Sequence, residues 1–238
     1  MISGLDTLGA LTPDGPVPSL WPVDAIISLD AGKAVQTFRG ATRDSRVPIS
    51  ILGYESVENS DSVTWDAASA ARNGVARLIK SGAERIVFLT LDWIYRDFPR
   101  EQRRRGYSEA MEEASFEPSF ATSAGETSSA AADAIALYLE SNPVPDAIFA
   151  FTDTLAIGAI RALTQKGVRV PEDCQVLGFG DYPEGEDSRV PVSTLRIPIG
   201  RVVDQAWTWL FERMGDPTIP TRFASMEMEY VKRDSTLI

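Results

Sequence analysis

A strand, a helix and a second strand follow one another without interruption in residues 144–182, VPDAIFAFTDTLAIGAIRALTQKGVRVPEDCQVLGFGDY. Residues 146–151 form a short apolar run, which is typical of a strand buried on both faces. Apolar residues then recur at helical spacing from 155 to 163, and residues 174–179 form a second apolar run. Two parallel strands joined by a helix form a right-handed crossover. The segment therefore predicts a parallel sheet flanked by helices.

The same alternation extends over the rest of the chain. Strand alternating with helix is typical of the α/β fold class. The predicted strands are residues 23–29, 47–53, 85–91, 146–151 and 174–179. The predicted helices are residues 66–80, 101–114, 128–140, 154–166 and 201–214. Residues 9–22 are rich in glycine and proline and are predicted to form a loop.

The absence of histidine restricts the chemistry that this chain can perform. Its 238 residues contain no histidine and one cysteine, Cys174. This composition excludes a Ser-His-Asp triad, a histidine-ligated zinc site and an internal disulfide. A phosphate-binding loop followed by a helix is also not found, because an acidic, proline-interrupted stretch follows the glycines at 178–180. We therefore expect no enzymatic activity, no cofactor and no metal.

Charge and hydropathy limit the partners and the location of the chain. The net charge of −11 argues against a nucleic-acid-binding surface on this polypeptide. Its apolar runs are all shorter than the roughly 20 residues that span a bilayer. The first residues, MISGLDTLGALTPDG, lack the basic start and apolar core of a secretory signal. We expect a cytoplasmic protein without a membrane partner.

Polar residues stand where two of the predicted strands end. Thr152 and Asp153 follow the strand 146–151, and Asp181 follows the strand 174–179. Open parallel sheets bind ligands outside the carboxyl ends of their strands, so these side chains are candidates for a binding site. Thr152 and Asp153 are equally typical of a helix N-terminus, and Asp181 of a hydrogen bond within its own turn. Both interpretations stay open.

Four segments of the chain resemble the LacI/GalR family of bacterial transcriptional repressors, in the effector-binding region of that family. They are PDAIFAFTDTLAIGAIRAL at 145–163, GVRVPEDCQVLGFGD at 167–181, PVSTLRIPIGRVVDQA at 191–206 and YVKRDST at 230–236. In addition, residues 103–107, RRRGY, match the family pattern RxxGY. The resemblance covers most of the chain from about residue 23 onward.

The resemblance implies an α/β fold of two Rossmann-like lobes with parallel sheets, joined by a three-crossover hinge as in type I periplasmic-binding-protein-like proteins. The N-terminal lobe is expected in residues 1–65 and 196–222, and the C-terminal lobe in residues 66–195 and 223–238. Family members begin with a helix-turn-helix and then the first strand and helix of the first lobe. Neither is matched here, so we expect a truncated first lobe in which residues 1–5 correspond to its second strand.

The resemblance also implies an effector in the cleft between the lobes, with Arg103 as a contact residue. Thr152 stands where the family has asparagine, and Gly180 where it has the first of two aspartates. Thr127 stands at a position that is often aromatic in the family. These departures argue against a standard hexopyranose as effector. The candidate effector-binding residues are Arg103, Asp181, Thr152, Trp93, Asp66 and Tyr54.

Each candidate also has a structural interpretation. Arg103 is open to a role as a surface arginine at a helix start. Trp93 and the nearby Tyr95 are equally able to pack their own loop against its lobe, and Asp66 to cap a helix. Tyr54 follows the strand predicted at 47–53.

The function implied by the resemblance is that of the effector-binding and dimerisation core of a ligand-responsive transcriptional regulator. A small polar metabolite, such as a sugar or a sugar derivative, shifts lobe closure and so the affinity for operator DNA. The DNA is then contacted by an N-terminal helix-turn-helix absent from this chain, and a homodimer is expected. The alternative is a solute-binding receptor of the same fold. A signal peptide upstream favours the receptor, and a helix-turn-helix favours the regulator.

Overall fold

A computed structural model describes residues 24–29, 35, 47–54 and 56–237 of the chain. The strands are β1 (Ile26–Leu29), β2 (Ile49–Gly53), β3 (Asp61–Trp65), β4 (Ile86–Leu91), β5 (Ser119–Ser123), β6 (Ala147–Ala150), β7 (Gln175–Gly180), β8 (Ser193–Arg196), β9 (Phe223–Met226) and β10 (Glu229–Val231). The helices are α1 (Ala67–Lys80), α2 (Asp92–Asp97), α3 (Gln102–Glu113), α4 (Ser128–Ser141), α5 (Asp153–Gln165), α6 (Pro183–Glu186) and α7 (Ile199–Gly215). The strand predicted at residues 1–5 and the loop at 9–22 lie outside the described residues.

The chain divides into two compact units. The first unit comprises Met1–Asp66 and Pro198–Glu227, and the second comprises Ala67–Ile197 and Met228–Ile238. The chain therefore passes from one unit to the other after residues 66, 197 and 227. Each unit contains its own largely parallel sheet with helices, which confirms the predicted α/β fold with two parallel-sheet lobes. Within its described part, no helix combines the length and the hydropathy that a membrane span requires.

The sheet of the first unit has four strands among the described residues, in the order β1-β2-β3-β9, and all of them are parallel. Helix α7 packs on β2 and β3 through an apolar face that includes Val202, Ala206 and Leu210. Strand β9 pairs with β3, whereas the sequence assigned residues 223–226 to the second lobe. The third passage between the units therefore lies five residues later than expected, after residue 227 and not after residue 222.

A buried carboxylate holds three elements of the first unit together. Asp61, in β3, is 1% exposed and accepts hydrogen bonds from Nε and Nη2 of Arg213 in α7, each at 2.8 Å. It also accepts the backbone N–H of Arg222, just before β9, at 2.8 Å. Burial raises the pKa of Asp61, but the hydrogen bonds from the two arginines outweigh it, so the pKa lies below its usual value. The charge is thus compensated by residues about 150 positions away in the sequence.

The sheet of the second unit has the order β10-β8-β7-β6-β4-β5, with β10 antiparallel and the other strands parallel. The connection from β4 to β5 runs in one direction along the sheet, and those from β5 to β6 and from β6 to β7 run in the other. Because such crossovers are right-handed, α3 lies on one face and α4 and α5 on the opposite face. Accordingly α1 packs with α3, and α4 with α5. The order reverses between β4 and β6, which is the topological switch point where ligands bind in open α/β sheets.

Candidate functional site

The switch point is marked by the turn between β6 and α5. Strand β6 is fully buried, and Phe151 and Thr152 follow it. The side-chain oxygen of Thr152 accepts the backbone N–H of Leu155 at 3.3 Å and so caps α5. Thr152 therefore has the capping role that was one of its two interpretations. Its contact with a ligand stays a prediction.

Arg103 reaches this turn from the first turn of α3. The residue is 8% exposed, and its Nη1 donates to the carbonyl oxygen of Phe151 at 3.1 Å. Its Nε donates to a carboxylate oxygen of Glu101 at 2.7 Å. The guanidinium also lies over the ring of Phe151, 3.4 Å from the ring centre. Arg103 is thus a fixed cation at the carboxyl end of β6, and not a solvated arginine at a helix start.

Asp181, directly after β7, is held by two arginines. One carboxylate oxygen accepts Nε of Arg196 at 2.5 Å, and the other accepts Nη2 of Arg233 at 2.6 Å. Burial raises the pKa of this carboxyl, but the hydrogen bonds from both arginines outweigh it and the pKa lies below its usual value. The aspartate adopts a positive φ of 65°. Its two oxygens connect the end of β7 to the end of β8 and to the segment after β10.

Asp153 connects the β6 turn to the β7 turn. It is 1% exposed, and one carboxylate oxygen accepts the backbone N–H of Tyr182 at 2.7 Å. Burial raises the pKa of this carboxyl, and the hydrogen bond from Tyr182 lowers it only in part. A Cβ atom added to Gly178 would lie 2.1 Å from the other oxygen of Asp153. Besides standing in the first turn of α5, Asp153 therefore fixes the chain after β7, a role that the sequence did not indicate.

Tyr182, which packs beside Gly180, is a further part of this edge that sequence reasoning missed. Gly180 has a φ of 121°, and a Cβ at this position would lie 2.8 Å from the ring of Tyr182. The ring therefore occupies the space beside the glycine backbone, and Tyr182 is still 41% exposed. The available signal was an aromatic residue placed two positions after the glycine that ends β7. Arg196, which ends β8 in register with Gly180, carried no signal of its own in the sequence.

Trp93 belongs to α2, the short helix that follows β4 on the other side of the switch point. Its ring makes an edge contact with Phe98 at 5.6 Å, and Trp93 remains 43% exposed. Tyr95 packs against Phe120, with ring centres 5.2 Å apart. Both residues therefore pack in part on their own unit, as one interpretation predicted. The structure also places Trp93 at the carboxyl edge of the sheet.

Two further candidates belong to the first unit. Tyr54 and Asp66 belong to the first unit, where Tyr54 makes an edge contact with Trp65 at 5.0 Å. Asp66 is exposed, and its backbone N–H donates to the carbonyl oxygen of Met226 at 3.3 Å. Thr127 caps α4 by accepting the N–H of Ala130 at 3.2 Å. Ligand contact by Tyr54 and Asp66 stays a prediction.

The carboxyl edge of the second unit thus combines fixed charges with exposed aromatic rings. Arg103 and Asp181 are each held by ion pairs, and Trp93 and Tyr182 each expose part of a ring. Within the described ranges, no group of three or more acidic, cysteine or histidine side chains is placed to bind a metal. Such an arrangement suits the non-covalent binding of a small molecule.

Comparison with known proteins agrees with this architecture. Residues 75–236 match the family model described as a periplasmic binding protein-like domain, which is more than half of the chain. The chain is 38% identical over 91 residues to the HTH-type transcriptional repressor PurR of Vibrio cholerae, covering 38% of this chain and 27% of that protein. It is 29% identical over 196 residues to the HTH-type transcriptional regulator AscG of Escherichia coli, covering 80% of this chain and 56% of that protein.

Solved structures show the same fold. A LacI family transcriptional regulator from Arthrobacter sp. FB24, in complex with lactose, superimposes with a TM-score of 0.79 at 29% identity and covers 98% of this chain and 83% of its own. A LacI family regulator from Enterococcus faecium with bound ribose gives a TM-score of 0.79 at 20% identity, with 92% and 81% coverage. The chain spans only about a quarter to a half of the length of the two relatives named above.

Proposed function

The chain belongs to the family of periplasmic binding protein-like domains, and from this premise we propose that it is the ligand-binding part of a LacI-type transcriptional regulator. The names of the matched relatives support a regulator over a transported-solute receptor, because both PurR and AscG are HTH-type regulators. In this proposal the protein performs no catalysis. It acts in the cytoplasm as a homodimer. Operator DNA is contacted by a helix-turn-helix, the element for which the relatives are named HTH-type.

The observation that carries the proposal is the position of Arg103 at the topological switch point. Its guanidinium is fixed by Glu101 and Phe151 at the carboxyl end of β6, where open parallel sheets bind their ligands. A fixed guanidinium offers planar donors to hydroxyl or anionic groups. We therefore place the ligand at this edge, near Arg103, Thr152, Asp181 and Trp93.

The ligand class follows from the neighbours and from the site. The Arthrobacter regulator is seen with lactose, which supports a sugar or a related polar metabolite here. Ligand binding favours one conformation of the protein over another, and the DNA affinity changes by the difference in ligand affinity between the two states. Couplings of this kind amount to about 1–3 kcal/mol.

A thermal-shift screen tests ligand binding. The panel contains mono- and disaccharides, sugar phosphates, polyols and nucleobases. A ligand at about 100 times its dissociation constant stabilises a protein by about 2.7 kcal/mol, which raises the melting temperature of a domain of this size by about 5–10 °C. The absence of a shift with every compound would contradict the proposal.

A DNA-binding measurement tests whether the protein is a ligand-responsive regulator. Fluorescence anisotropy measures the affinity of the polypeptide, together with its helix-turn-helix, for DNA from upstream of the gene. The stabilising compound is expected to change this affinity by about 5- to 150-fold. The same compound added to a scrambled duplex serves as the control. Equal affinity for the upstream DNA with and without the compound would rule out a ligand-responsive regulator and favour the receptor.

A further inference from the structure

The ring of Tyr182 packs beside the backbone of Gly180 at the carboxyl edge. The backbone N–H of Tyr182 is fixed by Asp153 at 2.7 Å. Ring atoms lie 2.8–3.2 Å from where a Cβ on Gly180 would stand, so part of the ring rests on the glycine backbone. Yet Tyr182 is 41% exposed. Part of an aromatic side chain is thus exposed at this edge.

The order of the strands puts a second exposed ring across the switch point. Trp93 follows β4 and Tyr182 follows β7, and β6 lies between these two strands. Neighbouring strands are about 4.8 Å apart, so the ends of β4 and β7 are separated by about 10 Å. Trp93 and Tyr182 therefore follow the two strands on either side of β6.

The carboxylate of Asp181 is engaged with the protein through both oxygens, and that of Asp153 through one. Both oxygens of Asp181 accept from arginines, and Asp153 is buried with the backbone of Tyr182 as a donor. A carboxylate that accepts from two guanidinium groups is a weaker competitor for ligand hydroxyls than an open one. Of the side chains that follow β7, the Tyr182 ring is therefore better suited to contact a ligand than the Asp181 carboxylate.

We propose that Tyr182 is a stacking platform that selects ligands with a closed ring and an apolar ring face over open-chain compounds of equal polarity. This inference rests on the proposed function. The ring face belongs either to a sugar or to a heterocycle, since both stack on an aromatic side chain.

Calorimetric titration of the chain with matched compounds tests the inference. Glucose is paired with sorbitol, ribose with ribitol, and lactose and adenine are added. For the ring compound that binds, Tyr182→Ala is expected to raise the dissociation constant about tenfold, and Tyr182→Phe to leave it within about twofold, because the ring and not the hydroxyl stacks. Gly180→Ala pushes the ring away and is expected to weaken binding to a similar degree. Phe211→Ala, an exposed aromatic of the first unit, is the control and leaves the constant unchanged.

The outcomes separate the inference from the proposed function. The inference is wrong if ring compounds bind the Tyr182→Ala variant as tightly as they bind the unaltered chain. It is also wrong if sorbitol binds as tightly as glucose. Neither result contradicts the proposed regulator function. If the unaltered chain binds no compound of this panel or of the thermal-shift panel, the proposed function fails and the inference fails with it. Thermal melting of each variant checks that the substituted protein is still folded.

Discussion

The guanidinium carbon of Arg103 lies 3.4 Å from the centre of the Phe151 ring. The same guanidinium donates to the carbonyl oxygen of Phe151, so the cation is attached to both the backbone and the ring at the end of β6. Such a cation loses little entropy when a ligand binds to it, because its rotamer is already fixed.

Arg103→Met keeps much of the side-chain volume and removes the donors. We expect the dissociation constant of the ligand to rise by at least about tenfold, since a hydrogen bond to a charged group contributes about 1.5–3 kcal/mol. Calorimetric titration measures the change. Arg105→Met is the matched control, because Arg105 is exposed and pairs with Glu109 at 3.7 Å. Unchanged affinity in Arg103→Met would show that the site lies elsewhere.

Asp181→Asn removes the charge that Arg196 and Arg233 share. We expect the free energy of unfolding to fall by about 2 kcal/mol near neutral pH. The folded pKa of Asp181 lies below the unfolded value of 3.8. The stabilisation is therefore present above pH 3.8 and is lost as the pH falls through the folded pKa. Urea unfolding between pH 2.5 and 7 measures the free energy of unfolding of both proteins. A difference between the two free energies that stays constant with pH would contradict the prediction.

Asp61→Asn breaks the buried ion pairs of the first unit. Arg213 is then left without a carboxylate, whereas Arg222 keeps its ion pair with Glu212. The loss of one partner of a buried pair costs about 3–5 kcal/mol. Urea unfolding followed by circular dichroism measures the loss. Glu113→Gln breaks the exposed pair with Arg72 and is expected to cost less than about 1 kcal/mol. Equal effects of the two substitutions would refute the role given to Asp61.

Gly178→Ala places a methyl group against a buried carboxylate. The new Cβ would lie 2.1 Å from Oδ1 of Asp153 and 2.9 Å from a methyl of Val192. Overpacking of this kind costs about 1–3 kcal/mol. Gly200→Ala meets no atom within 4 Å and, in α7, is expected to be neutral or slightly stabilising. Differential scanning calorimetry of both variants decides, and a Gly178→Ala protein as stable as Gly200→Ala would show that Asp153 can move.

The helices and strands with strong apolar patterns were predicted from the sequence. All five predicted helices and the buried strands β2, β4, β6 and β7 lie within a few residues of their expected positions. Strand β3 was missed because its first residue is Asp61 within a polar stretch, and the arginines that compensate it are distant in sequence. Strands β8, β9 and β10 are three or four residues long and include polar residues, so they lack the apolar run by which the equally short β6 was recognised.

Residues placed directly after strands were predicted to form the site, and Arg103 entered through the resemblance. The structure brings Arg103 to the β6 turn through Phe151. The partners of Asp181 were not predictable, since Arg196 and Arg233 are 15 and 52 residues away in the chain. The role of Tyr182 depends on the backbone angle of Gly180, and a sequence does not state such an angle.

The two neighbouring positions 181 and 182 differ in what a mutation there would do. Asp181 is anchored by arginines from two other segments, whereas Tyr182 is 41% exposed. A substitution at 182 is therefore expected to cost less stability than one at 181. Under the stacking role proposed for Tyr182, a single substitution at 182 changes the ligand preference while the anchored aspartate beside it is kept.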